Sequence, residues 1–205
     1  DKIEGPWYWL IVDTSKKGGG AAVTKDDWIK EVTGGKLTED KLAKQGITKE
    51  ILKIKNKNKL KWTSGKIAPA GGNNVNDTIN KIKLGNGDIN NHASYAIINC
   101  VSKVAKKGAS ARVGSDDGVK VWFNGKDVHT NAVDRGAGDF QDNFEVDIKK
   151  GDSVLMVKVT EKGGGWSMFV GIDAKLTYNL KFAGLSVEPE SKLTTSWGSV
   201  KRQRN

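Results

Sequence analysis

One cysteine, three prolines, two histidines and two methionines among 205 residues leave several chemistries without material. A lone Cys100 cannot close an internal disulfide, and its apolar neighbours assign it to the core rather than to nucleophilic catalysis. His92 and His129 stand in no nucleophile, zinc or phosphate-loop pattern, so no enzyme is expected. No apolar run approaches the roughly 18 residues that a bilayer span requires. The chain begins at Asp1 without a methionine, signal peptide or tag, as a processed exported protein would, and an extracellular surface is the expected location.

What is present is glycine, tryptophan and positive charge. Twenty-five Gly and seven Trp describe a folded, turn-rich chain. The net charge of +10 favours acidic partners such as an anionic polysaccharide or cell surface. No nucleic-acid motif accompanies that charge, so DNA and RNA are not expected. Much of it sits in residues 49–66, which hold seven lysines. There, Ile51-Leu-Lys-Ile-Lys-Asn-Lys-Asn-Lys-Leu-Lys-Trp62 alternates as a strand with one lysine face would. Such a face guards a sheet edge or binds a polyanion.

Periodicity divides the chain in two. The first half interleaves an aromatic strand at Gly5 to Val12 with short helices. Thr24-Lys-Asp-Asp offers an N-cap ahead of Trp28, Ile29 and Val32, and Thr38 offers a second one. Val75, Ile79 and Ile82 recur at helical spacing. From His92 onward strands take over, at 93–104, 109–114, 119–128, 143–148, 153–160, 166–172 and 175–182. Asn124-Gly125 suits a two-residue type I′ hairpin turn, whose central residues both need positive φ. Residues 143–148 and 153–160 read as a second hairpin across Lys149-Lys-Gly-Asp. The expected fold is mainly β, an antiparallel β-sandwich of jelly-roll type with short helical insertions in its first half. Residues 1–184 read as one domain. Residues 185–205, ending Lys201-Arg-Gln-Arg-Asn, read as a basic tail docked on this domain or a neighbour.

Chemistry concentrates at Ser115-Asp116-Asp117-Gly118. Adjacent carboxylates repel, and carboxylates clustered on turns supply the oxygen ligands that calcium prefers. Downstream, the loop from Asn131 to Asp142 carries Asp134, Asp139 and Asp142 between glycines. If 119–123 and 126–129 pair, that loop returns towards Asp116, which makes Asp116, Asp117, Asp139 and Asp142 the candidate calcium ligands. A polar turn with side chains bonded to backbone amides is the alternative. Asn131, Arg135 and Trp166 are the candidate ligand-binding residues. Trp166, beside Gly163 to Gly165, either stacks on a sugar ring or caps the sandwich.

Gly-Ser-Asp-Asp-Gly-Val-Lys-Val-Trp-Phe-Asn-Gly-Lys, residues 114–126, resembles the strand–hairpin signature of the anthrax-protective-antigen-type sugar-binding β-sandwich and its yeast flocculin relatives. It is also similar to hairpins in galactose-binding-like modules of secreted bacterial proteins. The resemblance covers about residues 109–172. It implies that Asp116 and Asp117, joined by a cis peptide, hold a calcium ion that in turn holds a glycan hydroxyl pair. The family's second calcium loop supplies an Asn or Asp, whereas the corresponding loop here is Glu161-Lys-Gly-Gly-Gly-Trp166, which leaves the last ligands unassigned. The expected role is a non-catalytic extracellular adhesion module that binds calcium and a polysaccharide. The alternative is a structural subunit that self-assembles into a filament or surface layer through its N-terminal strand and C-terminal tail.

Overall fold

A computed structural model describes residues 1–54 and 60–185. The tail at 186–205, expected to dock, lies outside the described residues, as does the middle of the lysine-rich stretch.

Among the described residues, ten strands form two antiparallel sheets. In chain order they are β1 (Trp7–Asp13), β2 (Thr63–Gly65), β3 (His92–Ser102), β4 (Lys106–Asp116), β5 (Gly118–Phe123), β6 (Lys126–Asn131), β7 (Asp142–Ile148), β8 (Gly151–Glu161), β9 (Ser167–Ile172) and β10 (Leu176–Asn179). The larger sheet runs β2-β1-β3-β8-β5-β6, with β10 also paired to β3, and the smaller runs β7-β4-β9. The β-sandwich expected from strand spacing is therefore the fold.

Alternation along the strands of the large sheet explains a third layer. Ala96, Ile98 and Cys100 of β3 face the small sheet and share a core with Trp7, Trp9, Val121 and Trp166. The intervening Tyr95 and Ile97 join a second core with Trp28, Leu42, Ile47 and Trp122, beneath three short helices. A sheet buried on both faces must be apolar on both, which period-2 side-chain alternation permits. The helices are α1 (Trp28–Val32), α2 (Glu39–Gln45) and α3 (Lys49–Lys53), and α4 (Asn74–Lys81) packs against β9 of the small sheet. Helices this short gain little from propensity, so packing and caps hold them. Thr38 and Thr48 accept from the amides of Lys41 and Ile51, and Gly46 ends α2 at φ 70°.

A buried ion pair ties this layer to the sheet. Lys158 Nζ donates to Glu39 Oε1 at 2.7 Å and to the Asp26 carbonyl at 2.8 Å, and Tyr95 Oη donates to the same Glu39 oxygen at 2.6 Å. Burial pushes the Glu39 carboxyl up and the Lys158 amine down, and each charge partly restores the other.

Three sequence expectations change. Residues 51–53, the start of the supposed lysine strand, are helical, because Thr48 caps their helix and Ile51 anchors it in the helix-side core. The first N-cap is Asp27, whose carboxylate accepts from Lys30 N–H at 2.7 Å, rather than Thr24. Thr24 is instead fully buried, bonded to the Gly20 carbonyl and to Thr160. Residues 143–148 and 153–160 form no hairpin: β7 pairs with β4 and β8 with β3 and β5, so Lys149 and Lys150 carry the chain between sheets. Inward-facing Val146 and Ile148 suit either sheet, and periodicity does not name a partner. The Asn124-Gly125 turn forms as expected, with φ of 53° and 81°.

Candidate metal centre

The acidic pair sits where the chain leaves the small sheet for the large one. β4 ends at Asp116, β5 begins at Gly118, and the Asp116–Asp117 peptide is cis. Two hydrogen bonds fix this crossing: Asp117 N–H donates to the Thr160 carbonyl at 3.1 Å, and Ser115 Oγ donates to the Asp117 carbonyl at 2.6 Å. Gly118 is required here, since a Cβ would collide with the Thr24 hydroxyl and come within 2.8 Å of Thr160 Oγ1.

Loop amides hold the outer sides of both carboxylates. Asp117 accepts from Arg135 N–H on one oxygen and from Lys162 N–H on the other, each at 3.0 Å, and Asp116 Oδ2 accepts from Ala137 N–H at 3.1 Å. The third acid is Glu161, the last residue of β8. Leu155, Val157 and Val159 point into the inter-sheet core, and Glu161 is the next position on that face. It is fully buried, and neither oxygen makes a well-formed hydrogen bond, the Gly163 amide being the one donor near enough to favour its charged form. One oxygen from each of Asp116, Asp117 and Glu161 lies within 4.8 Å of the others, so the cluster can hold a metal ion.

Electrostatics agree with the geometry. Burial and the neighbouring Asp117 push Asp116 up to about 6. Burial, then Asp117 and Asp116, push Glu161 up to about 8, and burial also raises Asp117. Three carboxyls resist ionising together because burial and their closeness outweigh the loop amides and the nearby cations. Close cations are already engaged. Arg135 grips Asp142 with both terminal nitrogens, at 3.1 and 2.6 Å, and Lys162 Nζ reaches Asp134 at 3.0 Å.

The sequence candidates separate accordingly. Asp116 and Asp117 lie together. Asp142 takes Arg135, Asn131 at 3.0 Å and His129 at 3.2 Å, and although burial favours its neutral form, these partners hold the carboxyl below its usual range. Asp139 is exposed and pairs with Lys2 at 2.6 Å. Neither joins the cluster. Trp166 is fully buried in the inter-sheet core and presents no face to a sugar. Sequence reasoning passed over Glu161 as a ligand, yet a carboxylate ending a run of inward-facing Leu155, Val157 and Val159 was the available signal.

No protein-family model matches the chain, and no curated protein matches it. Among solved structures, the PA14 domain of the antifreeze protein MpAFP aligns over 88% of each chain. Its sequence identity is 14% and the TM-score 0.40. That likeness assigns no residue a role.

Glycines close the site. A Cβ on Gly165 would lie 2.6 Å from the Gly72 carbonyl oxygen and 2.7 Å from Asp116 Oδ2, so only glycine lets the 163–165 loop approach. Gly20, at φ 57°, plays the same part beside Asp134 and Asp117.

Proposed function

We propose that this chain is a non-catalytic extracellular module whose loop end binds a calcium-class cation and attaches its owner to a polysaccharide. The observation that carries the cation is Glu161: two buried oxygens without a well-formed hydrogen bond, facing two further carboxylates. Leaving a buried polar group unmet costs about 1–3 kcal/mol, and more for a charge, so a compensating cation stabilises the folded chain. All-oxygen donors suit a hard ion, and carboxylates at two strand ends and the bend between them suit calcium's irregular shell better than magnesium's tight octahedron. Asp116, Asp117 and Glu161 would hold the ion. It would supply positive charge to the cluster and coordination sites to hydroxyl oxygens.

The absence of catalysis in this reading is supported by what the usual nucleophiles and bases do. Burial pushes the Cys100 thiol far up, and His129 stacks on Phe144 with ring centroids 5.1 Å apart. The polysaccharide rests on the likeness of residues 114–126 to sugar-binding hairpins.

Calorimetric titration of chelator-stripped protein with calcium tests the cation, with one site per chain expected. Retention on immobilised polysaccharides, with and without EGTA, tests the ligand. Absence of calcium heat would remove the cation, and retention indifferent to EGTA would separate the polysaccharide from it.

A further inference from the structure

The end of the sandwich away from the acidic trio is strongly basic. β4 begins at Lys106 and ends at Asp116, so the trio and the 103–105 turn lie roughly 30 Å apart, at about 3.3 Å per residue. Register gathers lysines at that turn. Ser102 pairs with Gly151 and Lys106 with Ile148, which sets Lys103 beside the crossing that carries Lys149 and Lys150. Lys107 and Lys175 are exposed at the same end. Among the described residues no acid forms an ion pair with any of these lysines. The acids nearby are used otherwise: Asp147 accepts from the Gly108 amide and Asp152 from the Asn99 side chain.

Beside this end, residues 1–3 and the turn from β9 to β10 border a cavity of about 550 Å³. Its cations are Lys2, Lys106, Arg112 and Lys175, against the acids Asp1 and Asp173. Lys2 is taken by Asp139. Lys106 Nζ donates to the Asp173 carbonyl at 2.6 Å, a neutral partner that holds the amine at the rim. The Arg112 guanidinium lies 4.4 Å from the centre of the Phe140 ring and forms no ion pair among the described residues. Contact with an aromatic ring steadies a guanidinium and leaves its N–H groups for a ligand. Ile172, Leu176 and Tyr178 add apolar wall.

We propose that this cavity binds an acidic polysaccharide through its uronate units, at a contact separate from the calcium-class site and independent of it. A uronate carries apolar ring faces and a carboxylate on one frame, which matches apolar wall beside Arg112, Lys106 and Lys175. The Arg112 fork suits a planar carboxylate, held by two parallel hydrogen bonds. Lys103, Lys107, Lys149 and Lys150 extend the positive field beyond the cavity, so further carboxylates of one polymer also meet cations. The volume lies within the range of small-molecule sites, and a flat lipid surface does not enter such a concavity. Val104 is the one large apolar side chain exposed at this end among the described residues, too little to anchor in a bilayer.

The test is fluorescence anisotropy of the full chain with labelled oligogalacturonate, in EGTA so that the acidic trio takes no part. The oligomer should bind, with affinity falling as salt rises, and its uncharged methyl ester should not. Arg112→Gln should weaken binding about tenfold or more, and so should Lys106→Gln/Lys175→Gln, with circular dichroism unchanged at these exposed positions. Lys25→Gln/Lys36→Gln removes the same charge from exposed positions that flank α1 and should leave binding nearly unchanged, as should Glu161→Gln. No binding by the parent chain, equal binding of the ester, or an equal loss in Lys25→Gln/Lys36→Gln overturns the proposal. So does tighter binding to phosphatidylserine vesicles or to dextran sulfate, which would assign the basic end to a membrane or to sulfate groups. None of these results bears on calcium heat at the acidic trio, so the two sites stand or fall separately.

Discussion

Glutamine in place of Glu161 should stabilise the chelated protein at pH 8, although it alters a fully buried residue. In the folded chain this carboxyl is held up to about 8, against an ordinary value of 4.5, by burial and by Asp117 and Asp116. Between those two values the folded state keeps a proton that the unfolded state has released. Stability without a cation therefore declines as pH rises from about 4.5 to about 8, and is flat beyond. At about 1.36 kcal/mol per pH unit, that interval sets a ceiling near 5 kcal/mol. Sharing of protons among three coupled carboxyls, and water at the loops, reduce the expected effect to about 2–3 kcal/mol. Glutamine has nearly the same shape and carries no charge, so Glu161→Gln should recover most of it.

For a chain of this size, about 2–4 °C in melting temperature accompanies each kcal/mol. Thermal unfolding in EGTA at pH 8 should then place Glu161→Gln about 5–10 °C above the parent chain. At pH 4, where the parent carboxyl is already neutral, the two should coincide. Calcium should reverse the order. A ligand at a hundred times its dissociation constant adds about 2.7 kcal/mol to the chain that binds it, and the variant should gain little. A variant that melts lower than the parent in EGTA at pH 8 would refute the electrostatic account. One that keeps the full calcium shift would refute the ligand assignment.

Two other substitutions probe separate features. Lys158→Met leaves the buried Glu39 carboxylate with only Lys120, at 3.6 Å, as a cation, and should cost about 3 kcal/mol by chemical denaturation, with Glu39→Gln in the same chain recovering part of the loss. Gly165→Ala places a methyl group against Asp116 Oδ2 and the Gly72 carbonyl. It should weaken calcium about tenfold or more by calorimetry, a loss of about 1.4 kcal/mol. Gly163→Ala, whose nearest neighbour would be Asn90 Oδ1 at 3.6 Å, should leave calcium affinity unchanged.

Local chemistry was legible in the sequence and long-range pairing was not. The Asn124-Gly125 turn, the Thr38 cap and the Val75–Ile79 face each depend on residues within a few positions of one another. Strand spacing was enough to establish a sandwich. Assigning strands to sheets required partners. β7 and β8 looked like a hairpin because only a short loop separates them, while their actual partners β4 and β3 lie far off in sequence. Lysine alternation after Ile51 read as a strand, and the helix-side core decided otherwise. At the site, the acidic pair was visible because it is contiguous. Lys158 and Glu39, 119 residues apart, carried no common signal.

The loop from Asn131 to Asp142 shows how a correct neighbourhood misled the choice of ligands. It does return to the acidic pair, but it brings backbone amides rather than carboxylates: Arg135 and Ala137 donate N–H groups to Asp117 and Asp116. Amides bonded to the outer side of a carboxylate orient it and leave its remaining lone pairs directed inward, as partners of metal ligands do. The loop's positive side chain goes elsewhere. Arg135 neutralises Asp142, which removes that acid from competition and withholds the guanidinium from the trio. Lys162 does the same with Asp134. The folded chain thus pairs its peripheral acids with cations and leaves three central ones with backbone amides but no paired cation. Random acidic clustering would not sort charges this way, because each nearby cation would lower its energy by turning inward to the trio. Steric closure by Gly165 and Gly20 keeps the centre small. Charge excess, oriented oxygens and a restricted volume are together what a bound cation requires, and a hydrogen-bonded turn alone requires none of them.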